Sequence, residues 1–238
     1  LEWLLDAVGR FEVDALIVAG DLFETANPPA TAFRQLYGFL GTLRRRYPKL
    51  EVVLVGGNHD SAQRLDAHVP LFDELRIHVV GGLPRTPEGQ LDAARLVVPL
   101  HDAAGTVRAV VAAVPYLRTS DLPTAPEQED SDPLIEGVRR IYTEAIALTR
   151  EAAAQHEQDV ALLATGHCYM SKTRLSELSE RKILGGNQHA LPVDVFPEDL
   201  AYVALGHLHL AQAVDRVDQV RYSGSPIPLS LSEADYEH

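Results

Sequence analysis

Four apolar runs in this chain each end in glycine followed by a side chain able to bind a metal. DALIVAGD ends in Gly20-Asp21. VVLVGGNHDS carries Asn58-His59-Asp60. ALLATGH ends in Gly166-His167, and AYVALGHLH ends in Gly206-His207-Leu208-His209. Phosphate-ester cleavage commonly uses two cations about 3.5–4 Å apart. A carboxylate can hold both with its two oxygens, and Asp21 is the candidate bridge. Asn58 offers a neutral oxygen, and His167, His207 and His209 offer imidazoles. Oxygen and nitrogen ligands without a thiolate suit manganese or iron better than a cysteine-rich zinc site. His207 and His209 share a face if the chain is extended there, so they can serve adjacent metals. The preceding glycines allow sharp turns and close backbone approach. Taken singly, a Gly-Asp is usually a turn and a lone histidine usually a packed residue. The four together predict a two-metal phosphoesterase site.

The elements that must position these groups follow from periodicity. Strands are predicted at 15–19, 52–55, 77–80, 96–100, 107–114, 160–165, 202–205, 213–217 and 220–223, and helices at 1–11, 30–46, 64–75 and 134–155. Early alternation of strand and helix predicts βαβ units, and later hairpins add antiparallel pairs. Near-continuous apolar strands such as ALIVA and VVLV predict burial on both faces. The expected fold is α/β, with mixed β-sheets sandwiched between helices. Ligands in such sheets gather beyond the carboxyl ends of the strands, where all four motifs lie. Residues 120–133, rich in Pro, Glu and Asp, read as a solvated loop.

The 238 residues are 46% hydrophobic and 23% charged, which suits a globular domain. No apolar run reaches bilayer length and no leader pattern opens the chain. With a single cysteine, Cys168, the expectation is a reducing, cytoplasmic setting. The net charge of −13 argues against a nucleic-acid surface. Carboxylates that hold cations weaken that objection locally. Lys172, Arg174, Arg181 and Lys182 follow His167 and are candidate DNA contacts. Arg44-Arg45-Arg46 reads instead as a helix C-terminus complementing its dipole. His68, His78, His101, His156 and His189 read as surface or structural, and Cys168 as a buried thiol. Leu1, Leu4, Leu5, Val8 and Phe11 share one helical face, and the absence of an opening methionine suggests an internal piece of a longer protein.

GD, GNHD, GH and GHxH in this order resemble the calcineurin-like metallophosphoesterase superfamily, a four-layer αββα fold. VAGDLFETANPPA, GGNHDSAQRL, YVALGHLHLAQ and RYSGSPIPLS resemble its SbcD branch, nuclease subunits related to archaeal and eukaryotic double-strand-break repair nucleases. The similarity covers about 13–233 and is weakest at 84–158. YSGSPIPLS is its most specific stretch. The resemblance implies that Asp21 bridges two divalent metals, with manganese favoured over magnesium or iron. Asn58, His167 and His207 would hold one metal, and His209 would help hold the other. His59 would meet the scissile phosphate, and Asp60 would orient His59. It also implies an Asp-x-His motif upstream of Leu1, and a capping domain and ATPase-docking segment beyond His238. A chain lacking these would be impaired in metal binding and activity. The implied function is duplex exonuclease and single-strand endonuclease action on DNA in break and hairpin processing. The implied partners are DNA, an SMC-like ATPase subunit (SbcC) and a second copy of the chain, through the segment 64–75. No membrane is implied, and the setting would be the bacterial cytoplasm at the nucleoid. The competing readings are a phosphatase or cyclic-nucleotide phosphodiesterase with the same metal chemistry, or a non-catalytic docking scaffold.

Overall fold

Strand β2 (Glu51–Val55) explains why one apolar run can serve two cores. In the computed structural model, which describes residues 1–123, 132–174 and 190–236, all five of its residues are buried. Val52 and Leu54 face helices, while Val53 and Val55 face a second sheet. The period of two along a strand dictates that split. β2 lies between β1 (Ala15–Ala19) and β3 (Ile77–Val80) in a parallel three-stranded sheet. The second sheet runs β4 (Val97–His101), β5 (Val107–Ala112), β6 (Ala161–His167), β7 (Tyr202–Gly206), β9 (Val217–Tyr222) and β8 (Gln212–Val214). The outer pairs β4–β5 and β8–β9 are antiparallel and the others parallel.

Helices α1 (Glu2–Arg10), α2 (Ala30–Arg46), α3 (Ala62–Asp66) and α4 (Val69–Asp73) pack on the first sheet through Leu5, Val8, Phe39, Leu40, Leu43, Leu65 and Phe72. The short α5 (Ala93–Leu96) leads into β4. The 21-residue α6 (Pro133–Ala153) covers the second sheet with Val138, Ile141, Tyr142, Ala145 and Ile146. A third apolar layer, including Val53, Val55, Val80, Val98, Leu100 and Val111, lies between the sheets. The result is four layers, αββα. Among the described residues no helix is long and apolar enough to cross a membrane.

Three local expectations change. The helix expected over 64–75 is two short helices. Pro70 has no N–H to continue the helical ladder toward Asp66, and its ring crowds the preceding turn. The strand expected over 213–217 breaks after Val214, because Asp215 and Arg216 adopt φ of 48° and 66° in a tight hairpin turn. On α1, Leu5 and Val8 are buried, but Leu1 and Phe11 are exposed. The arginine triplet is structural: Arg44 donates to the carbonyls of Tyr47, Pro48, Leu50 and Arg76, and Arg46 pairs with Asp6.

Glu51 ties the two sheets at the pole away from the motifs. Its side chain is 2% exposed. Oε1 accepts from Arg76 Nη1 at 3.0 Å and from His101 Nδ1 at 2.9 Å, and Oε2 lies 3.2 Å from His78 Nε2. Burial alone would raise this carboxyl, but hydrogen bonds and charge from His78 and His101 outweigh it and hold it below its usual value. A carboxyl depressed by folding stabilises above its unfolded pKa, and the gain is lost as pH falls through the folded one. Glu51→Gln is therefore expected to cost about 3 kcal/mol at pH 7. Urea unfolding should show the gap from the parent protein shrinking below pH 4.5, the carboxyl's ordinary value. A gap of constant size across that range would refute the assignment.

Candidate metal centre

The carboxyl ends of β1, β2, β6 and β7 meet at one edge where the two sheets pack together. Glycines make the approach possible. A Cβ on Gly57 would overlap the Asp21 carboxylate, and one on Gly206 would overlap the Ala19 carbonyl. Asp21 itself adopts φ 51° and His207 φ 99°, left-handed conformations that cost side-chain-bearing residues about 1–3 kcal/mol each. Both residues are turned in this way toward the same point.

The groups that meet there are Asp21, Asn58, His167 and His207. His167, 1% exposed at the end of β6, points Nδ1 at the Ala19 carbonyl, 2.8 Å away. A carbonyl only accepts, so Nδ1 carries the proton. In the neutral ring Nε2 then presents a lone pair, and it lies 2.8 Å from Asn58 Oδ1 and 3.2 Å from Asp21 Oδ2. His207 Nδ1 is 3.1 Å from the same Asn58 oxygen. Ligand atoms of Asp21, His167 and His207 all fall within 4.8 Å of one another. Acceptors facing one another at such distances need a proton or a cation between them: a protonated His167 turns its Nε2–H toward Asp21, and with the ring neutral a cation takes that place. Burial, with the charge of His167, pushes His207 down to about 4, so its ring is neutral at physiological pH and keeps a lone pair to offer. Burial pushes the Asp21 carboxyl up, but the hydrogen bond and charge of His167, with the His59 N–H, hold it below its ordinary range. This donor set fits a divalent metal.

The GNHD turn divides differently from expectation. His59 donates its backbone N–H to Asp21 Oδ1 at 2.9 Å, and its Nδ1 lies 2.9 Å from the Glu24 carbonyl. Asp60 does not orient His59. Its carboxylate, 2% exposed, accepts the backbone N–H groups of Leu22, Phe23 and Gly57 at 3.1, 3.0 and 2.9 Å. Three strong backbone donors on two neighbouring loops out-compete a single imidazole. Burial nevertheless leaves the Asp60 carboxyl above its usual value, with the nearby Asp21 charge adding to it against the three N–H groups. The orienting partner of His59 is thus the Glu24 carbonyl, and Asp60 clasps the Asp21 loop to the GNHD turn.

His209 stands outside the Asp21–His167–His207 cluster, with Nδ1 2.7 Å from the buried Glu233. Lys172 pairs with Asp215 at 2.6 Å and Arg174 is exposed beside Gln212. Arg181, Lys182 and His189 lie outside the described residues. Cys168 is half-buried, and its desolvation pushes the thiol up to about 12, which suits an inert side chain. His68 bonds Tyr37, and His78 and His101 bond Glu51, all structural contacts. Leu65 and Phe72 are core residues, each 7% exposed, while Leu71 and Leu75 face outward. Two rim residues had no motif to mark them. Arg118 lies over the Tyr116 ring at 5.8 Å and donates to the Asp60 carbonyl, and Tyr116 meets the edge of His167.

The family profile for calcineurin-like phosphoesterases matches residues 1–211. The chain belongs to the calcineurin-like phosphoesterase family. Membership in this family implies divalent metals. Individual relatives include the SbcD component of the nuclease SbcCD from Rhodobacter capsulatus, 44% identical over 95% of this chain and 55% of that protein. The SbcD proteins of Escherichia coli strain K12 and Bacillus subtilis are 34% and 35% identical, over 98% and 94% of this chain and 55% and 54% of theirs. The chain spans about half the length of these curated relatives.

Proposed function

We propose that this phosphoesterase domain hydrolyses DNA phosphodiesters, as the nuclease part of a complex with an SMC-like ATPase subunit, SbcC. The observation that carries the reading is the convergence of Asp21, Asn58, His167 and His207 with the His59 turn beside them. The nuclease names of the relatives support DNA over a small phosphoester. Asn58, His167 and His207 would hold one cation, Asp21 would bridge, and His209 would serve the second. Divalent cations, manganese by preference, would supply Lewis acidity that neutralises phosphate charge and lowers the pKa of water. His59, held at Nδ1 by the Glu24 carbonyl, presents its other nitrogen to the scissile phosphate. From there it stabilises charge or passes a proton to the leaving 3′ oxygen. Arg118 adds a positive group on the rim for a flanking phosphate. Two copies would pair through the α3–α4 segment, using the exposed Leu71 and Leu75 rather than Leu65 and Phe72.

The test compares linear duplex DNA with bis-p-nitrophenyl phosphate, both with manganese, using the protein in its full-length form with its ATPase partner. Degradation of the duplex is expected. Turnover of the small ester alone would move the chain to the phosphatase or cyclic-nucleotide phosphodiesterase reading. Turnover of neither would leave a docking scaffold.

A further inference from the structure

We propose that Glu233 is the positioning residue of His209, and that the stretch 222–233 serves to hold this histidine with Nε2 as its ligand atom. The proposal rests on the reading of His209 as a metal ligand. Glu233 closes a short 3-10 turn, Leu231–Glu233, and its side chain is 0% exposed. An isolated buried carboxylate is costly, so its partners reveal its use. Oε1 meets His209 Nδ1 at 2.7 Å, and Oε2 accepts the Leu229 N–H at 2.7 Å. The same stretch is stitched to the histidine a second time, because Ser225 N–H donates to the His209 carbonyl at 2.9 Å. Gly224, at φ 74°, lets the backbone come so close that a Cβ would lie 2.8 Å from that carbonyl. Apolar anchoring does not explain the path. Ile227, Leu229 and Leu231 are 60%, 53% and 97% exposed.

With Glu233 as the acceptor, as it is toward the Leu229 N–H, the proton of His209 belongs on Nδ1 and the lone pair it can offer a metal is on Nε2. Carboxylate contacts of this kind fix the tautomer and orientation of metal-binding histidines. The arrangement also gives a physical use to YSGSPIPLS, the most specific stretch of the sequence, which contributes no ligand of its own. A lone glutamate beyond that stretch had no spacing to reveal it.

The test is nitrogen-15 NMR of histidine-labelled protein, with the His209 resonances assigned by His209→Gln. The parent protein is expected to show His209 with its proton on Nδ1. Glu233→Ala should shift it to the Nε2–H form or a mixture, and should weaken manganese at His209 by about 10–100-fold. Glu233→Gln has one carbonyl oxygen for two donors and should fall between. It also keeps the question answerable if the alanine variant does not fold. An unchanged tautomer and unchanged manganese affinity in the folded variants would overturn the proposal. If the tautomer follows Glu233 but His209→Gln leaves the number and affinity of manganese sites unchanged, the positioning contact stands and the metal reading of His209 falls.

Discussion

Asp21→Asn should abolish tight manganese binding and lower phosphodiester hydrolysis by about a thousand-fold, the worth of several kcal/mol of lost Lewis-acid stabilisation. Asparagine is the informative replacement here. Asp21 sits at φ 51°, a conformation asparagine tolerates better than alanine. Its one carbonyl oxygen can still accept the His59 N–H that Oδ1 takes now. What it loses is the negative charge and the second oxygen, Oδ2, which faces His167. The fold should survive while the site fails. Calorimetric manganese titration checks this. A variant that binds manganese as tightly as the parent would remove Asp21 from the bridging role. In the parent chain itself, one tight site at the Asp21 cluster and a much weaker one at His209 are expected, because His209 lies outside that cluster.

The second large effect separates two neighbours that look alike in sequence. His59→Gln should lower the hydrolysis rate by about 10²–10⁴-fold, the usual worth of a positioned acid or base. Manganese affinity should stay unchanged, since the contact from this residue to Asp21 is its backbone N–H. The melting temperature should also hold. Asp60→Ala should do the reverse first. It leaves the N–H groups of Leu22, Phe23 and Gly57 without their acceptor, at about 1–3 kcal/mol each if buried. The clasp between the two loops opens, stability falls, and metal affinity falls with it. Thermal melts and manganese titrations on both variants read the split. An Asp60→Ala protein with parental stability would return Asp60 to the chemistry of His59.

Much of the layered fold is legible directly. VVLV carries its double burial in its composition, and β1, β3 and α2 begin and end where periodicity places them. Over 64–75 the apolar spacing suggests one continuous helix and masks the break at Pro70. The motif ends are legible for a related reason. Each candidate ligand ends a strand or follows it within three residues, so the strand delivers it to the sheet edge. The motifs therefore determined which groups gather at that edge: Asp21, Asn58, His59, His167 and His207.

Only the tertiary structure decided how they are held. His167 takes its tautomer from the Ala19 carbonyl, a residue 148 positions away. Asp60 spends its carboxylate on a loop 37 and 38 positions earlier, and Glu233 reaches back 24 positions to His209. Such partners are chosen by the packing of two sheets and their loops. A local pattern can bring a donor to an edge, but the atom it faces belongs to whatever chain segment packs there.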